Sequence, residues 1–134
     1  MKLVCAFNRT LLICVLLIGS AAAFVSCMPI DCKDTVLLDS PSPNGKIIAT
    51  VFERDCGATT AKNVQVCFRV STAAFNPKQQ ESFLVLETDG KIELSWTNQD
   101  KLIVQVPNQS KIFRNKTDSN GVKIEYHQQG GTSN

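Results

Sequence analysis

Apolar and polar positions alternate along most of the chain from residue 36 onward, and the alternation has a period of two. Residues 46–54 read KIIATVFER: Ile48, Thr50 and Phe52 face one way and Ile47, Ala49 and Val51 the other. Both faces are largely apolar, as in a strand covered on both sides. Val64, Val66, Phe68 and Val70 then alternate with Gln65, Cys67 and Arg69, the signature of a half-buried strand. Residues 82–88 (SFLVLET) form another strand, closed by Asp89-Gly90, a two-residue hairpin signal. Ile92, Leu94 and Trp96 give the inward face of the strand that returns. After a turn at residues 98–101, residues 102–106 make the next strand, stopped by Pro107. A weaker strand spans 111–114, and Val122, Ile124 and Tyr126 alternate with Lys123, Glu125 and His127 in the last one.

Turn chemistry punctuates these runs. A short apolar run at 36–38 leads into Ser40-Pro41-Ser42-Pro43-Asn44-Gly45, where proline removes donors and Asn-Gly favours positive φ. Residues 55–63, a connection at 71–80 broken by Asn76-Pro77, and a polar stretch at 115–121 ending in Asn120-Gly121 supply the others. No segment shows a 3.6-residue period. The expectation is an all-β domain: an antiparallel meander of six to eight short strands closed as a small sandwich or barrel.

The N-terminus follows another pattern. Lys2 and Arg9 precede the uncharged run LLICVLLIG at 11–19, and small residues follow to Ala23. That order is a secretory signal peptide. Cleavage after Ala23 leaves 111 of the 134 residues, enough for one core. Alternatively, Phe24-Val25-Ser26-Cys27 is a loose bacterial lipobox, which makes Cys27 the lipidation candidate and anchors the domain through acyl chains. The divisions expected are a leader at 1–26, an N-terminal segment at 27–40, a β domain at 41–127 and a flexible tail at 128–134. The expected location is the bacterial periplasm or its membrane, or the exterior if the chain is cut after Ala23.

Composition narrows the function. Without Lys2 and Arg9 the chain holds twelve basic and twelve acidic residues, which argues against nucleic acid as a partner. Of six cysteines, Cys5 and Cys14 leave with the leader, and Cys27, Cys32, Cys56 and Cys67 enter a compartment where disulfides persist. Four cysteines allow three pairings, and lipidation of Cys27 leaves one thiol odd. Cys32 and Cys56 both flank strands, which suits a staple from the N-terminal segment to a loop. Zinc is disfavoured, because the spacings fit no common ligand set and His127 is the single histidine. Catalysis by Cys56 lacks a base for the same reason.

Ser42-Pro43-Asn44-Gly45-Lys46 resembles the turn-and-strand of TolB-type propeller blades, in a chain too short for a propeller. Together with Arg54-Asp55-Cys56-Gly57-Ala58-Thr59-Thr60 and Val64-Gln65-Val66, it resembles a family of small bacterial envelope proteins of no agreed function. That resemblance implies a disulfide between Cys32 and Cys56.

The Arg54–Thr60 stretch is the one local concentration of polar, special-geometry residues. Arg54, Asp55, Thr59 and Thr60 are therefore the possible binding loop, against the alternative of a disulfide-pinned turn whose hydroxyls cap backbone groups. Trp96 reads as core, and His127 as solvent-facing. Glu87 and Asp89 specify no acid–base pair. Two sequons, at Asn108 and Asn115, carry meaning only in a eukaryotic source. The sequence points to an exported, non-catalytic envelope protein that binds another protein in an inhibitor- or immunity-like way, with no cofactor, metal or small-molecule substrate. A structural or assembly lipoprotein is the second reading, and a small hydrolase the third.

Overall fold

A computed structural model describes residues 31–57 and 60–130. The leader, Cys27, Thr59 and the last four residues lie outside the described residues. The domain beginning at Cys32 is all-β, with nine strands: β1 (Lys33–Pro41), β2 (Ile47–Asp55), β3 (Asn63–Val70), β4 (Ser82–Glu87), β5 (Glu93–Asn98), β6 (Lys101–Val106), β7 (Lys111–Asn115), β8 (Asp118–Ser119) and β9 (Val122–Gln128). One sheet has the order β1-β2-β3-β4-β7 and the other β5-β6-β9-β8. The alternating apolar sets seal the space between them. Ala49, Val51, Val64, Val66, Phe68, Leu84 and Leu86 of the first sheet meet Leu102, Val104, Val106, Val122 and Ile124 of the second.

The arrangement is a sandwich. It is not a barrel, because no ladder joins the two sheets: β1 and β7 edge one, β5 and β8 the other. Nor is it a pure antiparallel meander. From β6 the chain turns through residues 107–110, where Ser110 Oγ donates to the Pro107 carbonyl (2.7 Å), and returns to the first sheet as β7 beside β4. It then crosses back, so β9 lies parallel to β6, with Leu102 opposite Ile124 and Val104 opposite Tyr126.

Asp89-Gly90 does not make a hairpin. β4 and β5 belong to different sheets, and the dipeptide carries the chain across the sandwich. Its glycine is required by space rather than by a turn: a Cβ at Gly90 would stand 2.6 Å from the Pro107 ring. The two Asn-Gly turns do form. Gly45 has φ +68 and Ser42 Oγ accepts from Ile47 N (3.1 Å), while Asn120 and Gly121 (φ +53 and +76) connect β8 to β9.

β3 is buried on both faces, not one, over most of its length, since Gln65 and Cys67 are as enclosed as Val64 and Val66. The reason lies in residues 71–81. Phe75 stacks on Phe52 (centroids 5.0 Å apart), Arg69 donates to the Ala73 carbonyl (2.9 Å), and the Gln80 amide ties to Asn76 N and the Ala74 carbonyl. This connection lies over the outer face of the five-stranded sheet.

Replacing Gly90 by alanine drives a methyl group into Pro107. The expected loss is about 1–3 kcal/mol, and thermal unfolding should show a melting temperature lowered by roughly 4–8 °C per kcal/mol. An unchanged midpoint would mean that the crossing yields without strain.

Candidate functional site

The Arg54–Thr60 stretch lies where β2 ends, and the period of the strand separates its first two side chains. Arg54 points to the outer face and donates to both carboxylate oxygens of Asp34 on β1 (Nε 2.7 Å, Nη2 3.0 Å). The hydrogen bonds to Asp34 raise the guanidinium pKa further. Asp55 turns the other way. Its carboxylate accepts from Gly57 N (3.0 Å), and that bond, helped by the Lys62 charge at 3.6 Å, lowers its pKa. Gly57 adopts φ +98, which a side chain would resist. Thr60 donates its hydroxyl to the Gly57 carbonyl (3.3 Å), and its amide bonds the same oxygen (3.2 Å). Lys62 also donates to Glu53 (3.2 Å).

Cys56 is bonded to Cys32, 24 positions earlier in sequence, with Cα atoms 4.1 Å apart. The bridge caps the end of the β1–β2 ladder, where Lys33 stands opposite Asp55. Cys67 stays a buried free thiol in the middle of β3, opposite Thr50, and burial pushes its pKa up to about 11. A thiol so protonated is a poor nucleophile.

The structure thus brings Arg54, Asp55 and Thr60 together in sequence but not into one surface. Arg54 shares the outer face with a polar assembly that the sequence did not single out. There Thr50 donates to Asp39 (2.6 Å), while Arg69 donates to Thr50 (Nε, 3.1 Å) and to Asp39 (Nη2, 2.8 Å). Further along, Ser82 donates to the Gln65 amide oxygen (2.7 Å), the Gln65 amide nitrogen donates to Asn63 (2.8 Å), and Arg114 Nη1 reaches the Ser82 carbonyl (3.3 Å). The available signal was the two-faced apolar pattern of residues 46–54, which requires a cover on this side. Beneath residues 77–81 the cover leaves a trough of about 370 Å³ bordered by Arg54, Gln65, Ser82 and Arg114.

Elsewhere, Trp96 packs on Phe68 (centroids 5.9 Å apart) and donates to the Ser40 carbonyl (3.1 Å), a half-buried core role. His127 is exposed and bonds Glu125 (2.8 Å), whose pKa falls to about 2 beside Lys101 and His127. Glu87 and Asp89 border a separate cavity of about 390 Å³ at the inter-sheet crossing. Among the described residues no cluster of His, Cys, Asp or Glu has the arrangement of a metal site. Comparison with known proteins matches the chain to no protein family, no curated protein and no solved structure.

Substituting Cys32 and Cys56 together by serine opens the 24-residue loop and should cost about 3–4 kcal/mol on chain-entropy grounds, read as an earlier denaturation midpoint. Tyr126, the single tyrosine of the chain, has its pKa pushed up to about 12 by burial, and it donates to the Lys116 carbonyl (2.7 Å). Its ionisation favours the unfolded state, so its contribution is complete below the ordinary value near 10 and disappears as pH rises through 12. Absorbance titration of the phenol should therefore show a midpoint near 12, and a midpoint near 10 would place the ring in solvent.

Proposed function

We propose that this chain is an exported, non-catalytic envelope protein, lipidated at Cys27 or released by cleavage after Ala23, whose β-sandwich binds another protein in an inhibitor- or immunity-like manner. The observation that carries the binding reading is on β1. This nine-residue edge strand exposes three consecutive large apolar side chains, Val36, Leu37 and Leu38, to 43, 56 and 40%. An apolar run on a sheet edge is a ready template for a partner strand or apolar face. Leu37 is also the extra residue of a β-bulge, where Val36 pairs with Phe52 and Leu38 with Val51, and bulges re-aim side chains beside binding sites. The disulfide between Cys32 and Cys56 supports residence in an oxidising compartment. The likeness of residues 42–66 to small bacterial envelope proteins agrees with it.

Protein isolated from its native host supplies the test. Its intact mass should lack residues 1–23, or residues 1–26 with acyl groups on Cys27; a mass that retains Met1 would overturn export. Crosslinking in envelope extract should yield one discrete partner, and Leu37→Asp should lose it while melting like the parent. An identical crosslinking pattern for the two proteins would remove β1 as the binding edge.

A further inference from the structure

The trough on the outer face has the chemistry of a recognition site for negative charge. Its floor is polar and closed: Gln65 and Ser82 are 8% and 7% exposed, Ser82 donates to the Gln65 amide oxygen, and the Gln65 amide nitrogen donates to Asn63. Its walls differ. Arg54 commits Nε and Nη2 to Asp34, which fixes the guanidinium plane, and Nη1 has no partner among the described residues. Among the described residues the Arg114 guanidinium makes polar contacts through Nη1, at 3.3 Å from the Ser82 carbonyl and 3.6 Å from Glu81. Lys78 adds a third cation from the covering connection. The acidic neighbour on that connection, Glu81, is drawn to Lys116 (2.7 Å). Three cations, Arg54, Lys78 and Arg114, and one acid, Glu81, therefore border a neutral polar floor, an excess of positive charge.

The spacing selects among anions. Arg54 is on β2 and Arg114 on β7, with β3 and β4 between them. Three inter-strand steps place their backbones about 14 Å apart. The guanidiniums do not converge, because Asp34 draws that of Arg54 toward β1 while that of Arg114 is bonded to Ser82 on β4. A single phosphate or carboxylate therefore engages one of them and leaves the other. An extended peptide advances about 3.3 Å per residue and shows alternate side chains on one face, so acidic residues two and four positions apart follow the trough from one arginine to the other. Planar guanidinium forks also match carboxylates.

We propose that the trough between Arg54, Lys78 and Arg114 binds an extended acidic peptide segment of a partner protein, with alternate carboxylates on the two arginines. The inference rests on the protein-binding reading but uses a surface other than the β1 edge.

The probe is a capped Asp-Ala-Glu-Ala-Asp peptide, titrated into the isotopically labelled folded protein while amide resonances are followed. Saturable shifts are expected at Gln65, Ser82 and Arg114, with none from the Asn-Ala-Gln-Ala-Asn counterpart. They should collapse at about 1 M salt, where the screening length is about 3 Å. Arg114→Gln, at a half-exposed position outside the core, should weaken the peptide about tenfold, as for the loss of one charge-assisted hydrogen bond. Lys78→Gln should weaken it in the same direction. Three results would each overturn the assignment: no saturation, equal shifts from the amide peptide or from inorganic phosphate, or unchanged affinity in both variants. Because this titration needs no native partner, its failure is separable from failure of the Leu37→Asp experiment.

Discussion

The contact of Phe75 with Phe52 decides how the rest of this molecule is organised. A sandwich ordinarily leaves the outer face of each sheet to water, yet the interior strand β2, next to the edge, carries large apolar side chains on both faces. The inner set is covered by the second sheet. The outer set has no third layer, and a single connection, residues 71–81, does that work by laying Phe75 on Phe52. Burying an aromatic ring of that size contributes a few kcal/mol. It also holds the connection close enough to enclose polar neighbours, which then need partners of their own.

Those partners are present. Asp39, Thr50 and Arg69 form a closed triangle of hydrogen bonds, and Gln65, Ser82 and Asn63 a second series. Among the described residues no buried side-chain nitrogen or oxygen lacks a partner. Such networks are costly when half-satisfied and rigid when complete. Here they tie β1, β2, β3 and β4 into one register across the face. Arg54 with Asp34 does the same at the end of the sheet that the disulfide closes, so covalent and ionic ties share one edge.

Much of this was legible in the chain. The period-two runs marked β2, β3, β6 and β9, and the two Asn-Gly dipeptides marked turns where φ is positive. What escaped was relational. Asp89-Gly90 looks locally like a hairpin, and only Pro107, seventeen residues later, reveals that its glycine serves close approach. The parallel alignment of β6 and β9 depends on a crossing that leaves no local mark. Likewise Gln65 and Cys67 read as the wet side of a strand, because the residues that cover them are distant and weakly patterned. The polar stretch at 54–60 was visible as special geometry. That Arg54 and Asp55 serve opposite sides of β2 follows from the pleat, and the partner of Arg54 had to come from β1.

Cys67 gives the fold a problem of timing. During oxidative folding three thiols of the domain, Cys32, Cys56 and Cys67, compete, and Cys56 is nearer in sequence to Cys67 than to Cys32. Loop-closure statistics alone would favour the shorter link. A Cys56–Cys67 bond is incompatible with the native ladder, in which Cys67 stands opposite Thr50, well inside the strand, while Cys56 follows its end. The native ladder itself excludes the wrong pair: with β2 and β3 zipped together, Cys67 lies out of range of Cys56 and is fully buried. A Cys56–Cys67 bond formed before this zipping would have to be broken by thiol–disulfide exchange before the ladder could close.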